Sequence, residues 1–498
     1  MIRAILNARP LGGHDPIDVT IVDGLIASIA PAGTVDPRGF AEGEAVDVEG
    51  RWLLPGLWDE HVHFTQWAQH LTRLDLSGAE TAAEAVAIVR SAIVHGEFED
   101  ESVIIGGGFR DGLWPDEPTA ELLDTVVPDR PVVLISGDVH CAWLNTLALE
   151  RYGFESPDGI LREEEAFAVT AMIDASTNEE LDRWVAQAAA DAAARGVVGI
   201  VDLEMRWNHA DWQRRVAEGF DTLRVEFGIY PDDLDRAIEA GLRTGDSVGG
   251  TVSVGPLKVI TDGSLNTRTA YCCDPYPEEA PNPYGRLLVP PCDLQPMLVR
   301  ARDAGLAATV HAIGDAANRL ALDAFAALGG GGRIEHAQLV HEADVPRFAA
   351  LGVTASVQPE HLLDDRDVAA HYWRGRTQRA FAVRSLIDAG AHVVLGSDAP
   401  VAHLDPWRAI AAATTRTRDH REPFHPEQCI SVAEAIGCST RTRVEVGEPA
   451  DLIAVEFDPL EADEALLRTM PVALTLLGGR VTFSIIDTVR TPVELVEL

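Results

Sequence analysis

Lysine is almost missing from this chain. Of 498 residues, 40 are Lys or Arg and 79 are Asp or Glu, and only one of the 40, Lys258, is a lysine. Positive charge is scarce in consequence, and the formal net charge is −39. Such a surface repels a phosphate backbone, so no nucleic-acid partner is expected. Long apolar runs are missing too, and no stretch reaches bilayer-spanning length. The N-terminal MIRAILNARPLGGHD has no apolar run followed by a small-residue cleavage site. Neither a membrane partner nor a signal peptide is therefore expected. Cysteines are few (141, 272, 273, 292, 429 and 438) and show no C-x-x-C spacing. They read as reduced thiols of a cytoplasmic protein. Repeats and low-complexity tracts are absent; GGGG at 329–332 reads as a turn. What remains is a globular composition, 46% hydrophobic and 24% charged. The length suits one large domain plus a smaller one.

The loss of lysine gives its sole survivor weight. Arginine replaces lysine wherever a surface cation suffices, but guanidinium stays protonated and cannot serve as a nucleophilic amine. Lys258 lies in the apolar, strand-like VGPLKVITDG rather than on a charged face. It is a candidate for amine chemistry; chance survival and a buried ion pair, for instance with Asp262, are the plainer readings. The acidity itself has two readings, adaptation to salt and a codon bias toward Arg, Ala and Gly.

Both ends of the chain have a strand texture. DVTIVDGLIASIA predicts a hairpin around Asp23-Gly24, a type I′ turn pair. DLIAVEFDP and ALTLLGGRVTFSI predict three more strands near the C-terminus. These ends are expected to pair as one composite β-sandwich domain, 1–52 with 445–498. Between them, segment 53–64 (LLPGLWDEHVHF) and seven later strands, VVGIVDLE to HVVLGSDAPV, alternate with helical segments. That pattern predicts an α/β fold, a (β/α)8 TIM barrel over 53–444. Residues 65–175 are too many for one barrel unit and carry strands of their own, so they read as an insertion after strand one.

Active sites of such barrels sit at the C-terminal ends of the strands. Those ends carry His61 and His63 on strand one, Lys258 on strand four, His311 on strand five, His336 on strand six and Asp398 on strand eight. His61 and His63 are two apart, so a strand points both to one face. Taken singly these are weak signals: with 16 histidines, an H-x-H pair arises by chance about 0.5 times, and Asp398 in GSDAP also suits a turn or cap. Together they fall at one relative place in their barrel units. Four imidazoles and a carboxylate at one mouth form a transition-metal site by ligand type.

The motifs LPGLWDEHVHF, KVITDGSLNTRTA, VHAIGD, RIEHAQL, SVQPEH and LGSDAPV resemble those of the amidohydrolase superfamily. With GFRDGLW, PVVLISGDVHCAWLNTLAL and EVGEPADLIAVEFDP, the chain most resembles the branch of YtcJ-like metal-dependent hydrolases, which includes N-substituted formamide deformylases. The resemblance implies two divalent ions, zinc being the expected metal. His61, His63 and Asp398 would hold one ion and His311 and His336 the other, with Lys258 bridging them as a carbamate. A carbamate requires an unprotonated amine, which burial beside cations provides.

In that scheme two metals generate a hydroxide that attacks a carbonyl. Asp398 accepts its proton and returns it to the leaving nitrogen. His140 in SGDVHCAWLN is a candidate donor to the oxyanion, and a structural histidine of the insertion is an equal reading. Asp262, Asn266 and Arg268 of DGSLNTRT are candidates to contact substrate or to orient Lys258. Trp58, Trp114 and Trp143 are candidate walls of an apolar pocket, although such rings are more often core. His361 and His403 lie just past strands seven and eight, where contact with substrate is an open reading, and neither is assigned a role. The expected reaction is hydrolysis of a C–N bond in a small amide, formamide or cyclic amide. A one-metal deaminase, an esterase, lactonase or phosphoesterase on the same barrel, and a non-catalytic binding or regulatory homologue stay open. The resemblance is compatible with a homo-oligomer, but no interface is legible.

Overall fold

A computed structural model describes residues 1–486 apart from 97, 99–101, 110, 112, 113, 138–140, 163, 174, 175, 278–281, 419 and 420. The side chains of 167 and 171 also lie outside the description. The chain divides into two compact units: Met1–Phe64 with Ala189–Leu498, and Thr65–Ala188.

In the first unit, eight strands pair in sequence order: β1 (Leu57–Val62), β2 (Val197–Asp202), β3 (Arg224–Ile229), β4 (Val252–Ile260), β5 (Ala308–Ala312), β6 (Arg333–His336), β7 (Thr354–Val357) and β8 (Val393–Leu395). Every neighbouring pair is parallel. A short strand, Ser247–Gly249, adds antiparallel to β4. The sheet nearly closes on itself. A parallel bridge joins Val62 to Ala399, and Asp398 N–H donates to His61 O at 2.7 Å. All residues of β1 and β2 are buried, as strands covered on both faces require.

The covering helices are amphipathic. Asp315–Ala327 buries Ala317, Ala321, Leu322, Ala324 and Phe325, one face at helical spacing, and the glycines at 329–332 follow its end. Helix Pro359–Tyr372 follows β7 directly. A second helix, Val383–Asp388, precedes β8. The helix after β7 is readable in the sequence only faintly. Its signal is a proline at the first helical position with Leu362, Leu363 and Ala369 buried.

Both chain ends contribute to one eight-stranded sheet. Its path runs Arg480–Ser484, Val472–Leu477, Leu452–Val455, Trp52–Pro55, Ala4–Pro10, Ile17–Val22, Leu25–Pro31, and Ala45–Asp47 pairs beside Ala4–Pro10. The Asp23-Gly24 turn has φ of +50° and +77°, as a type I′ turn needs. Ile5, Val19, Leu53, Leu452 and Leu474 meet in one core. Segment 53–64, expected as a single barrel strand, is two. Trp52–Pro55 pairs with Leu452–Val455 in the end sheet, and the barrel starts only at Leu57. Gly56 separates them; a Cβ there would lie 2.3 Å from the Val198 side chain, so only glycine lets the chain pass so close to β2.

The second unit has its own five-stranded sheet, in the order Ile160–Arg162, Cys141–Leu144, Val132–Ser136, Ile104–Phe109, Leu74–Asp75. Leu76, Val89, Phe109, Leu134 and Trp143 fill its core. It ends at 188, within helix Asn178–Ala194 and beyond the expected limit of 175. Among the described residues no helix is long and apolar enough to cross a membrane.

Candidate functional site

The C-terminal ends of the barrel strands gather the six residues expected there. His61 projects from β1 and is 1% exposed. Its Nε2 lies 3.3 Å from Asp398 Oδ1, and His63 Nε2 lies 3.2 Å from the same oxygen. The Lys258 amine, on β4, is 3.4 Å from His61 Nε2. His311 and His336 pack edge to face with ring centroids 4.4 Å apart, and His336 is 5.2 Å from the His61 ring. Ligand atoms of His61, His336 and Asp398 all fall within 4.8 Å of one another. His140, the expected oxyanion donor, lies outside the described residues.

Backbone geometry helps aim these groups. His336 and Asp398 have φ of +72° and +58°, in the left-handed region that non-glycine residues seldom occupy. The end of β8 passes tightly against β1, since a Cβ at Gly396 would meet His61 N at 2.7 Å. Asp59 Oδ1 accepts both the His61 and the Ser397 N–H, tying these two strands together.

Burial sets the charge states. It pulls the Lys258 ammonium from about 10.5 down to about 8. Burial, followed by the Lys258 charge, takes His61 down to about 4, and burial with the His311 charge takes His336 well below the usual histidine value. For Asp398 burial opposes ionisation, but the neighbouring His61 and the His63 hydrogen bond outweigh it and hold the carboxyl well below its ordinary range. His63 goes the other way: burial opposes protonation, but its hydrogen bond to Asp398 outweighs that and raises it. Neutral His61 and His336 beside a carboxylate are donors that divalent transition metals take. In addition His63 Nδ1 and His336 Nδ1 are buried without a hydrogen-bond partner. The residues present therefore fit a metal centre.

Second carboxylates stand behind two of the imidazoles. Glu335 Oε2 is 2.8 Å from His61 Nδ1, and Thr309 and Arg333 approach its other oxygen at 2.6 Å. Strand alternation hides this role by placing Glu335 and His336 on opposite faces; the left-handed turn at His336 breaks the alternation. Asp262, expected at the substrate or beside Lys258, instead serves His311. It is fully buried, its Oδ1 is 3.1 Å from His311 Nδ1, and it accepts the N–H groups of Ile313, Gly314 and Tyr271. No oxygen of Asp262 is left for a substrate. The signal available in sequence was only its place two residues past β4.

Other candidates scatter. Arg268 sits on the loop after β4 with its guanidinium 5.5 Å from the Tyr372 ring centroid, and Asn266 on that loop is exposed. Trp58 lies near the N-terminal end of β1 under Arg441 at 3.7 Å, beside a cavity of about 250 Å³ with Arg224 and Glu226, away from the strand ends that carry the histidines. Trp114 and Trp143 pack with Phe109 in the core of the second unit. His403 is exposed. Groups the sequence reading passed over are Glu204 after β2, whose charge favours protonated His63, and Tyr230 after β3, which donates to Leu203 O at 2.7 Å.

The model of the amidohydrolase family matches residues 44–483. "Protein LONG AFTER FAR-RED 3" of Arabidopsis thaliana is 30% identical, covering 79% of this chain and 74% of that protein. The N-substituted formamide deformylase of Arthrobacter pascens is 24% identical, over 93% and 94%. Among solved structures, an uncharacterized metal-dependent hydrolase from Pyrococcus furiosus superposes with TM-score 0.76 and 25% identity, over 92% of this chain and 99% of that one.

Proposed function

Because the chain belongs to the amidohydrolase family, in its YtcJ-like branch of metal-dependent hydrolases, we propose that it hydrolyses a C–N bond in a small amide, formamide or cyclic amide. One observation carries the reading: the Asp398 carboxylate lies against both His61 and His63, with the Lys258 amine beside His61 and the His311–His336 pair packed together at the neighbouring strand ends. In this reading His61, His63 and Asp398 would hold one divalent ion and His311 and His336 a second, with Lys258, as its carbamate, the further candidate ligand and zinc the expected metal. Bound there, divalent ions act as Lewis acids toward a carbonyl and lower the pKa of water to near neutrality. The buried, weakly basic Lys258 amine suits carbamate formation, which consumes one carbon dioxide and releases one proton.

Asp398 then does the proton work. As a carboxylate it takes a proton from the attacking water and delivers it to the nitrogen as the C–N bond breaks, so the amine leaves neutral. An amide needs this delivery more than an ester does, because its nitrogen is a poor leaving group unless protonated. The name of the Arthrobacter pascens relative supports a formamide or related amide as the substrate class.

The test is a turnover screen of the zinc-loaded, bicarbonate-treated protein against N-alkylformamides, cyclic amides, aminated heterocycles, lactones, carboxylic esters and phosphoesters, with metal counted per chain. Amine release and two metal equivalents are expected. Turnover confined to esters, lactones or phosphoesters would overturn the C–N assignment. One equivalent with turnover of aminated heterocycles would replace it with a mononuclear deaminase.

A further inference from the structure

His361 stands in the first turn of helix Pro359–Tyr372, just past β7. It is 8% exposed, and its Nε2 is buried with no hydrogen-bond partner. That nitrogen is 3.9 Å from Asp398 Oδ2, and the ring stacks on His336 with centroids 6.1 Å apart and planes 21° apart. A histidine kept only for the core would have its buried nitrogen paired, since a lone buried polar atom costs about 1–3 kcal/mol. Unpaired atoms of this kind call for a partner that arrives later. The two oxygens of Asp398 divide the surroundings. Oδ1 faces His61 and His63, whereas Oδ2 faces His361. The gap between Oδ2 and Nε2 is too long for a hydrogen bond. The His361 nitrogen is thus left to meet a third group, and the reacting amide is the group that the Asp398 chemistry brings there.

We infer that His361 is a catalytic residue that contacts the substrate beside Asp398, its Nε2–H donating to the oxygen that gains charge as the carbonyl carbon becomes tetrahedral. This rests on the hydrolase reading above and names the donor for it. His361 transfers no proton; the proton that leaves with the nitrogen still passes through Asp398. A preorganised donor of this kind acts where charge develops and therefore raises kcat more than it tightens substrate binding.

The experiment compares wild type, H361F and H361Q, all zinc-loaded, on an N-alkylformamide. In H361F kcat falls about 10²–10³-fold, the usual loss for one oxyanion donor, while KM moves by less than about threefold. H361Q, which keeps an N–H donor, recovers at least about tenfold of the H361F loss. Metal content and Tm stay at wild-type values in both variants. A readout that needs no turnover is calorimetric binding of methylphosphonate, a tetrahedral anion, which weakens at least about tenfold in H361F. If kcat and phosphonate affinity stay within about threefold of wild type in H361F, or if both variants lose metal, the inference is overturned. If the wild-type enzyme cleaves an ester or lactone instead of amides, the C–N reading fails, and the same comparison on that ester still decides His361.

Discussion

Replacing Asp262 by asparagine changes one oxygen to an amide nitrogen and little else in shape. The carboxylate it replaces has no spare capacity: Oδ1 accepts Ile313 N–H and faces His311 Nδ1, and Oδ2 accepts Gly314 and Tyr271 N–H. An asparagine can take two orientations. With its NH2 toward Gly314 and Tyr271, two buried backbone donors lose their acceptor, at about 1–3 kcal/mol each. With its NH2 toward Ile313 and His311, only one backbone donor is lost, but His311 Nδ1 must become an acceptor. The imidazole proton then moves to Nε2, and the nitrogen left to a metal carries a hydrogen. The second orientation strands fewer buried groups and is the one expected. D262N should therefore lose about 1–3 kcal/mol of stability as the metal-free protein. It should lose about 10–100-fold in metal affinity, the usual result of removing a carboxylate behind a ligating histidine. Chelator-competition titration measures the affinity, and calorimetric unfolding of the metal-free protein measures the stability. The two readouts separate two roles. If D262N unfolds earlier but binds metal within twofold of wild type, Asp262 merely staples the loops after β4 and β5, and its hold on the His311 tautomer is refuted.

Lys258→Arg keeps a buried cation but no amine, so bicarbonate no longer raises metal content and turnover falls at least about 10²-fold; retained activity with full metal content would remove the carbamate. Glu434 bears a different kind of test: hydrogen bonds from the Arg384 side chain and the Ser431 N–H hold its carboxyl at about 2, below its ordinary 4.5. A folded-state value lower than the unfolded one gives stability that is complete above about pH 4.5 and vanishes as pH falls through about 2. The Tm gap between wild type and E434Q should narrow from pH 5 to pH 3, and a constant gap would contradict the pairing. A net charge of −39 should make the fold sensitive to salt, because self-repulsion is screened as the Debye length drops from about 10 Å at 0.1 M to about 3 Å at 1 M. Tm is expected to rise across that range, and a flat response would detach the acidity from salt adaptation.

What the sequence discloses here follows from how local each signal is. The Asp23-Gly24 turn and the apolar strands with helices between them are set by neighbouring residues, and they appear where the pattern puts them. The histidines were legible for a topological reason. A barrel brings strand ends together, so residues at equivalent places in successive units meet even when 337 positions separate them, as His61 and Asp398 do. The roles of Asp262, Glu335 and His361 were not legible, because each depends on a detail that alternation does not encode. Asp262 is claimed by N–H groups of later loops. Glu335 shares a side with His336 only because the backbone turns left-handed at 336. His361 depends on a helix starting at Pro359, where a run of polar residues masks the periodicity. Segment 53–64 misled because a continuous apolar run does not show where it changes sheets; the cue was Gly56, whose meaning is steric and needs Val198 in place.

Function and stability pull against each other at two of the six mouth residues. His336 and Asp398 both hold left-handed backbone, a conformation that costs a non-glycine residue on the order of 1–2 kcal/mol. Glycine would relieve that cost and would remove the side chain for which the conformation exists. Such strain persists only where surrounding contacts over-determine it, and they do so here. Asp398 N–H is held by His61 O at 2.7 Å, and His63 N–H by Ala399 O at 2.8 Å, so the end of β8 cannot relax without opening the β1–β8 seam. That seam is also the only place where the barrel lacks a full ladder among the described residues. The stiffness a ladder would supply is replaced by the Asp59 carboxylate, which receives one N–H from each strand. His61, His63 and Asp398 thus meet at the barrel's weakest join, and the groups that close that join also fix where the Asp398 carboxylate can point.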